Sequence, residues 1–492
     1  MSETASVRPS AAYPEPEELL RHDALSLSRK IRAREIGCEE LMRATLARVD
    51  EVNAQANAIV ARQPAEALLA QARAADEELA RGEWRGWLHG MPQAAKDTAQ
   101  THDIVTTRGS PILRDFMPAE DSLIIARARA EGAILIGKTN VPEFGLGSHS
   151  YNNVYGTTRN AHAPSKTAGG SSGGAAVALA LNILAVADGS DMMGSLRNPA
   201  GFNGIYSLRP SFGRVPRVPG FDQFSHQLVT EGPMARSPRD CARLLATQAG
   251  YDPRAPLSLA GDGSEFIALA EEAPASSTPL SGLRIGWLAD LDGYLPMEPG
   301  VLEQSERALR ALEALGAQIT PTTLGFAPEK LWHTWITLRQ GLMATALGVH
   351  YRDPDKRRLM KPEAIWEVES GANLSATDFI AASQTRCEWT LAALRRFEQF
   401  DLLASPTAQV FPFDAEHHWP REIAGHPMDT YHRWMEVVVP AALGGFPTAN
   451  VPTPRSDAEL AAGRISGLQL MGPPRADAAV LAAAIAYGDA QG

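Results

Sequence analysis

The spacing of apolar positions divides this chain into segments of different texture. From Pro16 to about Ala80, Leu25, Ile31, Ile36, Leu41, Leu46 and Val49 recur among charged residues. That helical spacing predicts surface helices capped by Ser or Asp. From Trp87 to Gly213 the pattern shifts to short apolar runs broken by glycine, such as Ala133-Ile134-Leu135-Ile136-Gly137 and Leu184-Ala185-Val186-Ala187, with a helical segment over Ser122–Glu131. Buried strands alternating with helices predict an α/β layered core. The longest apolar stretch, Ala175–Ala187, is 13 residues and contains Asn182. It falls short of the roughly 18 needed for a membrane span and predicts a buried helix.

Further along, Ser237–Gln248 and Leu302–Leu315 read as amphipathic helices and Leu283–Leu288 as a strand. Pro328–Phe400 is helical and aromatic, with Trp332, Trp335, Trp366, Phe379 and Trp389, and lacks strand alternation. It is a candidate substrate cap. Ala404–Met428, rich in Pro and His, reads as loop, Leu468–Met471 as a strand and Ala476–Tyr487 as a final helix.

Composition narrows the classes. The 492 residues are 44% hydrophobic and 21% charged, enough apolar content for a large core. Lys plus Arg number 46 against 57 Asp plus Glu, a net charge of −11 that disfavours nucleic acid or an anionic membrane as the main partner. Cys38, Cys241 and Cys387 are odd in number and lack CxxC spacing, which argues against a disulfide framework or a structural zinc and for a reducing cytoplasm. Met1–Glu15 lacks the basic-then-apolar pattern of a signal peptide.

Three polar features point to one chemistry: Lys96 in Gly90-Met91-Pro92-Gln93-Ala94-Ala95-Lys96-Asp97, Ser171 in Gly169-Gly170-Ser171-Ser172-Gly173-Gly174, and Ser195 in Asp191-Met192-Met193-Gly194-Ser195-Leu196-Arg197. A serine hydroxyl is a poor nucleophile near pH 7 and needs a base for its proton and donors for the developing oxyanion. A lysine can be that base once desolvation lowers its pKa by roughly three units, about 4 kcal/mol, and the apolar neighbours Pro92, Ala94 and Ala95 suit that. Asp191 and Arg197 read as an ion pair bracing the loop. Asn140 and Glu143 read as hydrogen-bonding supports of a core turn, and Ser172 as a partner of Lys96 or of a backbone group.

These blocks, with GKTNVPEF at Gly137–Phe144 and GGSSGGAAVALALNILAVADGSDMMGSLRNPAGFNGIYSLRPSFGRVP at Gly169–Pro216, resemble the amidase signature family of serine hydrolases. Weaker echoes at Glu231–Leu245, Phe400–Thr407 and Pro440–Pro454 extend the resemblance over nearly the whole chain. It implies a single large α/β domain with a mixed central sheet flanked by helices on both faces. Residues 1–80 would be a helical segment packed on the core, and 81–492 the α/β domain, with 328–400 as the possible cap. It further implies Ser195 as nucleophile, Ser171 as bridging serine after a cis peptide bond, Lys96 as base, and an oxyanion hole of the Met192, Met193, Gly194 and Ser195 amides. The family usually has Gly-Gly before the nucleophile where this chain has Met193-Gly194. Position 193 must therefore take ordinary backbone angles or the hole is reshaped, and its side chain is expected to narrow the acyl side of the pocket.

The implied function is hydrolysis of a C–N bond in a small-molecule amide, anilide, carbamate or ester, with no cofactor and no metal, by a monomer or homodimer. Aromatic and apolar content near the site favours a hydrophobic or aryl acyl compound. Within the family, the alternative is the glutaminase subunit of a tRNA-dependent amidotransferase. Outside it, Gly169-Gly170-Ser171-Ser172-Gly173 fits the nucleophile elbow of an α/β-hydrolase esterase, with His333, His417, His418, His426 or His432 as its histidine. That reading leaves Lys96 and Ser195 unexplained. A degenerate hydrolase kept for binding, marked by Met193, is the non-enzymatic alternative. A P-loop is excluded because Lys166-Thr167 precede the glycines, and no histidine begins H-E-x-x-H.

Overall fold

The computed structural model describes residues 14–220, 222–225, 227–272 and 277–491. The stretch Met1–Glu15, whose pattern argues against a signal peptide, lies largely outside these. An eight-stranded mixed sheet organises the chain. Its order is Gln318–Pro321, Arg284–Trp287, Leu402–Pro406, Gly467–Met471, Thr448–Pro452, Tyr206–Arg209, Thr230–Ala235 and Val186–Asp191. The first three strands pair in parallel and the remaining pairings are antiparallel. Helices cover both faces, giving one mixed α/β domain.

A second, three-stranded sheet sets Ile59–Val60 antiparallel and Pro92–Lys96 parallel to the central Ile134–Thr139. Pro92–Lys96 runs beside the edge strand Val186–Asp191, and the backbone amide of Lys96 donates to both carboxylate oxygens of Asp188 at 3.1 and 3.2 Å. The two sheets meet there.

Most predicted elements recur within a residue or two. Ser122 precedes the helix Leu123–Ala130 and Ser237 caps Pro238–Gln248 through its hydroxyl. Four segments differ. Cys38–Ala56 is a core helix: Cys38, Leu41, Met42, Val49, Val52 and Ala56 are buried, because Ala65–Ala80 and the Pro92–Lys96 strand cover it. Residues 1–80 also contribute a strand. The apolar stretch Ala175–Ala187 splits into the helix Gly173–Ala180 and the strand Val186–Asp191, with Asn182 at positive φ ending the helix. The stretch expected as loop contains most of the strand Leu402–Pro406 and a short pairing of Glu422–Ile423 with His426–Pro427.

The region 328–400 folds as the helices Pro328–Tyr351, Pro354–Arg357, Pro362–Ala372 and Ala376–Phe397. Trp332, Trp335 and Trp389 are buried in an apolar cluster with Phe202, Trp434, Val438 and Phe446, against which Phe379 packs. Trp332, Trp335 and Trp389 pack the core of the helical layer, and the half-buried Trp366 lies edge-on to Tyr431 and His432.

Candidate active site

Lys96 ends its strand with Ala94 and Ala95 buried before it, so its side chain enters the interior and is 1% exposed. Its Nζ lies within hydrogen-bond reach of Ser171 Oγ at 2.9 Å, Ser172 Oγ at 2.8 Å, Ser190 Oγ at 3.0 Å and the Ser190 carbonyl at 3.2 Å, as acceptors for its N–H groups. All four acceptors are neutral. Burial pushes the amine down to about 7, against the opposing pull of Asp188, Asp191 and Glu231. Asp188, itself buried and raised by burial, spends its oxygens on the Lys96 amide and forms no ion pair with the side chain.

Ser171 and Ser172 precede the helix Gly173–Ala180, and the Gly170–Ser171 peptide bond is cis. A Cβ on Gly174 would come within 2.2 Å of the Asn140 amide nitrogen, so glycine lets the helix start sit directly on the turn after Ile134–Thr139. Asn140 braces that turn, its Nδ2 donating to Thr158 Oγ1 at 3.0 Å and its Oδ1 accepting from Asn152 at 2.7 Å. Glu143 accepts from Ser110 Oγ and the Lys361 amide, both at 2.7 Å. Ser172 takes both of its expected roles, since its Oγ also accepts from the Ser190 amide at 3.4 Å. Its own amide donates to the Ser195 carbonyl at 3.2 Å, which ties the two serine loops together.

The loop before Ser195 is organised by Asp191. This fully buried carboxylate accepts from Arg197 Nε at 3.0 Å, Arg209 Nη1 at 3.1 Å, the Gly194 amide at 2.9 Å and the Leu196 amide at 3.2 Å. Burial alone would raise its pKa, but the two guanidinium charges outweigh that and hold it well below the usual carboxylate range. The expected ion pair is therefore a triad with Arg209, a residue that no pattern in the sequence singles out.

Of the four amides expected in the oxyanion hole, that of Gly194 donates to Asp191 Oδ1 at 2.9 Å. Among the described residues nothing accepts from the amides of Met192, Met193 and Ser195. The positive φ of 78° falls on Gly194, where a Cβ would meet Val438 Cγ2 at 3.0 Å, and Met193 keeps a negative φ. Met193 is 3% exposed and belongs to the apolar cluster with Phe202 and Val438, so it does not narrow the pocket. Met192 occupies that place.

A cavity of about 190 Å³ opens onto Ser171, Ser190 and Ser195. Its apolar wall is Phe144, Leu146, Met192, Val229, Met343 and Leu347, and its polar wall includes Arg108, Arg217, Glu231, Arg339 and His350. The helix Pro328–Tyr351 thus contributes to the lining, but through aliphatic and polar residues. Burial pushes Glu231 up to about 7, with Arg217, 3.9 Å away, pulling it down. Arg339 is matched by Glu367 at 2.5 Å and Tyr431 at 2.8 Å.

None of His333, His417, His418, His426 and His432 lines this cavity. His432 is buried among Trp332, Trp335 and Tyr431, and the other four are exposed. Ser190 and Asp188 escape the sequence reading although a signal exists, since Asp188-Gly189-Ser190-Asp191 is a polar run ending an apolar strand. Arg108, Arg217 and Glu231 carry no such signal. Among the described residues, His102, Asp103 and Asp121 bring metal-ligating atoms within 4.8 Å of one another. Arg129 pairs with both carboxylates, at 2.5 and 3.1 Å, which makes this a surface ion-pair cluster.

Fold and site together define a serine amidohydrolase class of protein. The family model described as Amidase matches residues 40–481, and the chain belongs to the amidase signature family. The glutamyl-tRNA(Gln) amidotransferase chain of Moorella thermoacetica is 32% identical over 490 residues, spanning 96% of each chain. Among solved structures, a bacterial aryl acylamidase of the amidase signature enzymes superposes with a TM-score of 0.86 at 26% identity, covering 95% of this chain and 96% of its own. The peptide amidase of Stenotrophomonas maltophilia superposes with a TM-score of 0.78 at 26% identity, covering 96% and 98%. Among the described residues no helix is long and apolar enough to cross a membrane.

Proposed function

We propose that the chain hydrolyses the C–N bond of an amide-type substrate, an amide, aryl amide or carbamate, through an acyl-enzyme on Ser195. The observation that carries this reading is the buried Lys96 amine, held near neutral pH and hydrogen-bonded to Ser171 on the wall of the cavity that Ser195 also lines. Lys96 takes the Ser171 proton as Ser171 takes that of Ser195, and Ser195 Oγ attacks the carbonyl carbon. The developing oxyanion is received by the amides of Met192, Met193 and Ser195, a set in which one donor is typically worth about 3 kcal/mol. The relay then delivers the proton to the leaving amine, the C–N bond breaks, and water repeats the attack on the ester. The donors at position 193 are main-chain groups, so methionine there is compatible with catalysis. The same reading takes the protein to act on a small molecule, in the cytoplasm, as a monomer or homodimer.

The test is an activated aryl ester added to purified protein. A burst of phenol and an acyl adduct on the Ser195 peptide are expected, both absent in Ser195→Ala. Full turnover by Ser195→Ala refutes the assignment.

A second reading, the glutaminase component of a tRNA-dependent amidotransferase, is favoured by the name and full-length coverage of the Moorella relative. Ammonia release from glutamine that appears only when partner proteins are added would select it over the free-standing amidase.

A further inference from the structure

Among the described residues, one guanidinium of the cavity has no carboxylate within ion-pair reach. Arg108 lines it together with Ser171 and Ser195. Its Nε is buried without a hydrogen-bond partner, and among the described residues no carboxylate pairs with the side chain. Asp97, whose charge favours that of Arg108, has its oxygens committed to Thr107 Oγ1 at 2.6 Å, the Thr107 amide at 3.1 Å and the Gly109 amide at 3.1 Å. The backbone fixes the arginine there. Arg108 has φ 51°, uncommon for a residue with a side chain, and is held by its amide on the Asp97 carbonyl at 3.1 Å and by the Phe144 amide on its own carbonyl at 2.7 Å.

Of the other arginines of the wall, Arg339 is hydrogen-bonded to Glu367 and Tyr431, and Arg217 has Glu231 at 3.9 Å. Among the described residues, Arg108 is the arginine of this wall with no carboxylate within ion-pair reach. A desolvated, unpaired guanidinium is unfavourable until an anion reaches it, and then pairs strongly in a two-pronged geometry. We propose that Arg108 receives a carboxylate carried by the substrate, so that the enzyme selects amides bearing an acid group. This rests on the amidohydrolase reading above. One unpaired guanidinium balances one negative charge, which favours a monoanionic carboxylate over a phosphate dianion. Guanidinium and carboxylate are also matched plane to plane.

The experiment measures binding by calorimetry in the Ser195→Ala background, where turnover is not needed. Two acid probes, glutaric acid monoanilide with the carboxylate on the acyl side and 4-acetamidobenzoate with it on the amine side, are compared with their uncharged counterparts, valeranilide and 4-methylacetanilide. One acid is expected to bind at least tenfold more tightly than its counterpart, and Arg108→Gln is expected to bring that ratio to within about threefold of unity. Arg108→Lys should retain part of the preference, which keeps the test meaningful if Arg108→Gln fails to fold. Equal binding of both acids and their counterparts overturns the proposal, as does a preference that survives Arg108→Gln. Turnover of valeranilide by the unsubstituted protein, and its loss in Ser195→Ala, tests the hydrolase reading separately.

Discussion

Lys96 Nζ donates to Ser171 Oγ at 2.9 Å from a position where 1% of the lysine meets solvent. The contact joins a base lowered by burial to a hydroxyl on the wall of the cavity that also contains Ser195. Both properties come from one placement, the end of a strand pressed against the Val186–Asp191 edge.

Replacing Lys96 with Met keeps the aliphatic stem and removes the amine. Turnover of an aryl amide should fall by about 10²- to 10⁴-fold, the range for a lost general base. Thermal unfolding should not move downward, because no charge then has to be desolvated. Loss of less than tenfold in kcat would refute the assigned role.

The pH dependence follows from the same group. A base must be neutral, so kcat/KM should climb with pH and level off above about 7. Between about 7 and its ordinary 10.5, Lys96 is protonated in the unfolded chain and neutral in the folded one, so its contribution makes stability rise with pH across that window. Glu231 contributes the opposite slope between its ordinary 4.5 and about 7, where the folded chain binds the extra proton. Denaturant titrations of Lys96→Met and Glu231→Gln at several pH values should each remove one slope, and a flat activity profile from pH 6 to 9 would contradict the scheme.

Asp191→Asn removes the one acid between Arg197 and Arg209. Breaking a buried pair by deleting a partner costs about 3–5 kcal/mol, and denaturant unfolding should register a loss of that order. Activity should fall as well, since the Gly194 and Leu196 amides lose the charge that anchors them.

Gly194→Ala places a Cβ at φ 78° and 3.0 Å from Val438 Cγ2. Both the backbone and the contact oppose it, for a loss of at least about 1 kcal/mol. Because the loop carries Ser195, kcat should drop more than KM changes. Val438→Ala in the same chain should recover stability more than activity.

Much of this site was legible because its chemistry sits in contiguous runs. Gly169–Gly174 and Asp191–Arg197 each carry their glycines and serines together, the helices Pro238–Gln248 and Val301–Ala314 carry periodic apolar faces, and Ser237 caps the first of them. The strands that read poorly are those holding polar or proline residues inside the sheet. Tyr206–Arg209 is an example, where Arg209 is buried against Asp191, and Thr230–Ala235 is another, where Glu231 faces the cavity. Periodicity sees hydrophobicity and is blind to a buried charge whose partner lies far along the chain.

Taken alone, the order of residues determined which groups could perform acyl transfer and which local segments would be helix or apolar strand, since both depend on neighbours within a few positions. Only the tertiary structure decided that Lys96, 75 positions from Ser171, would be stripped of water beside it. It likewise decided that Gly194 would donate to Asp191, that Met192 and not Met193 would face the cavity, and that, among the described residues, Arg108 would have no carboxylate within ion-pair reach. Desolvation and charge balance are properties of the packed surroundings, and those exist only once distant segments have met.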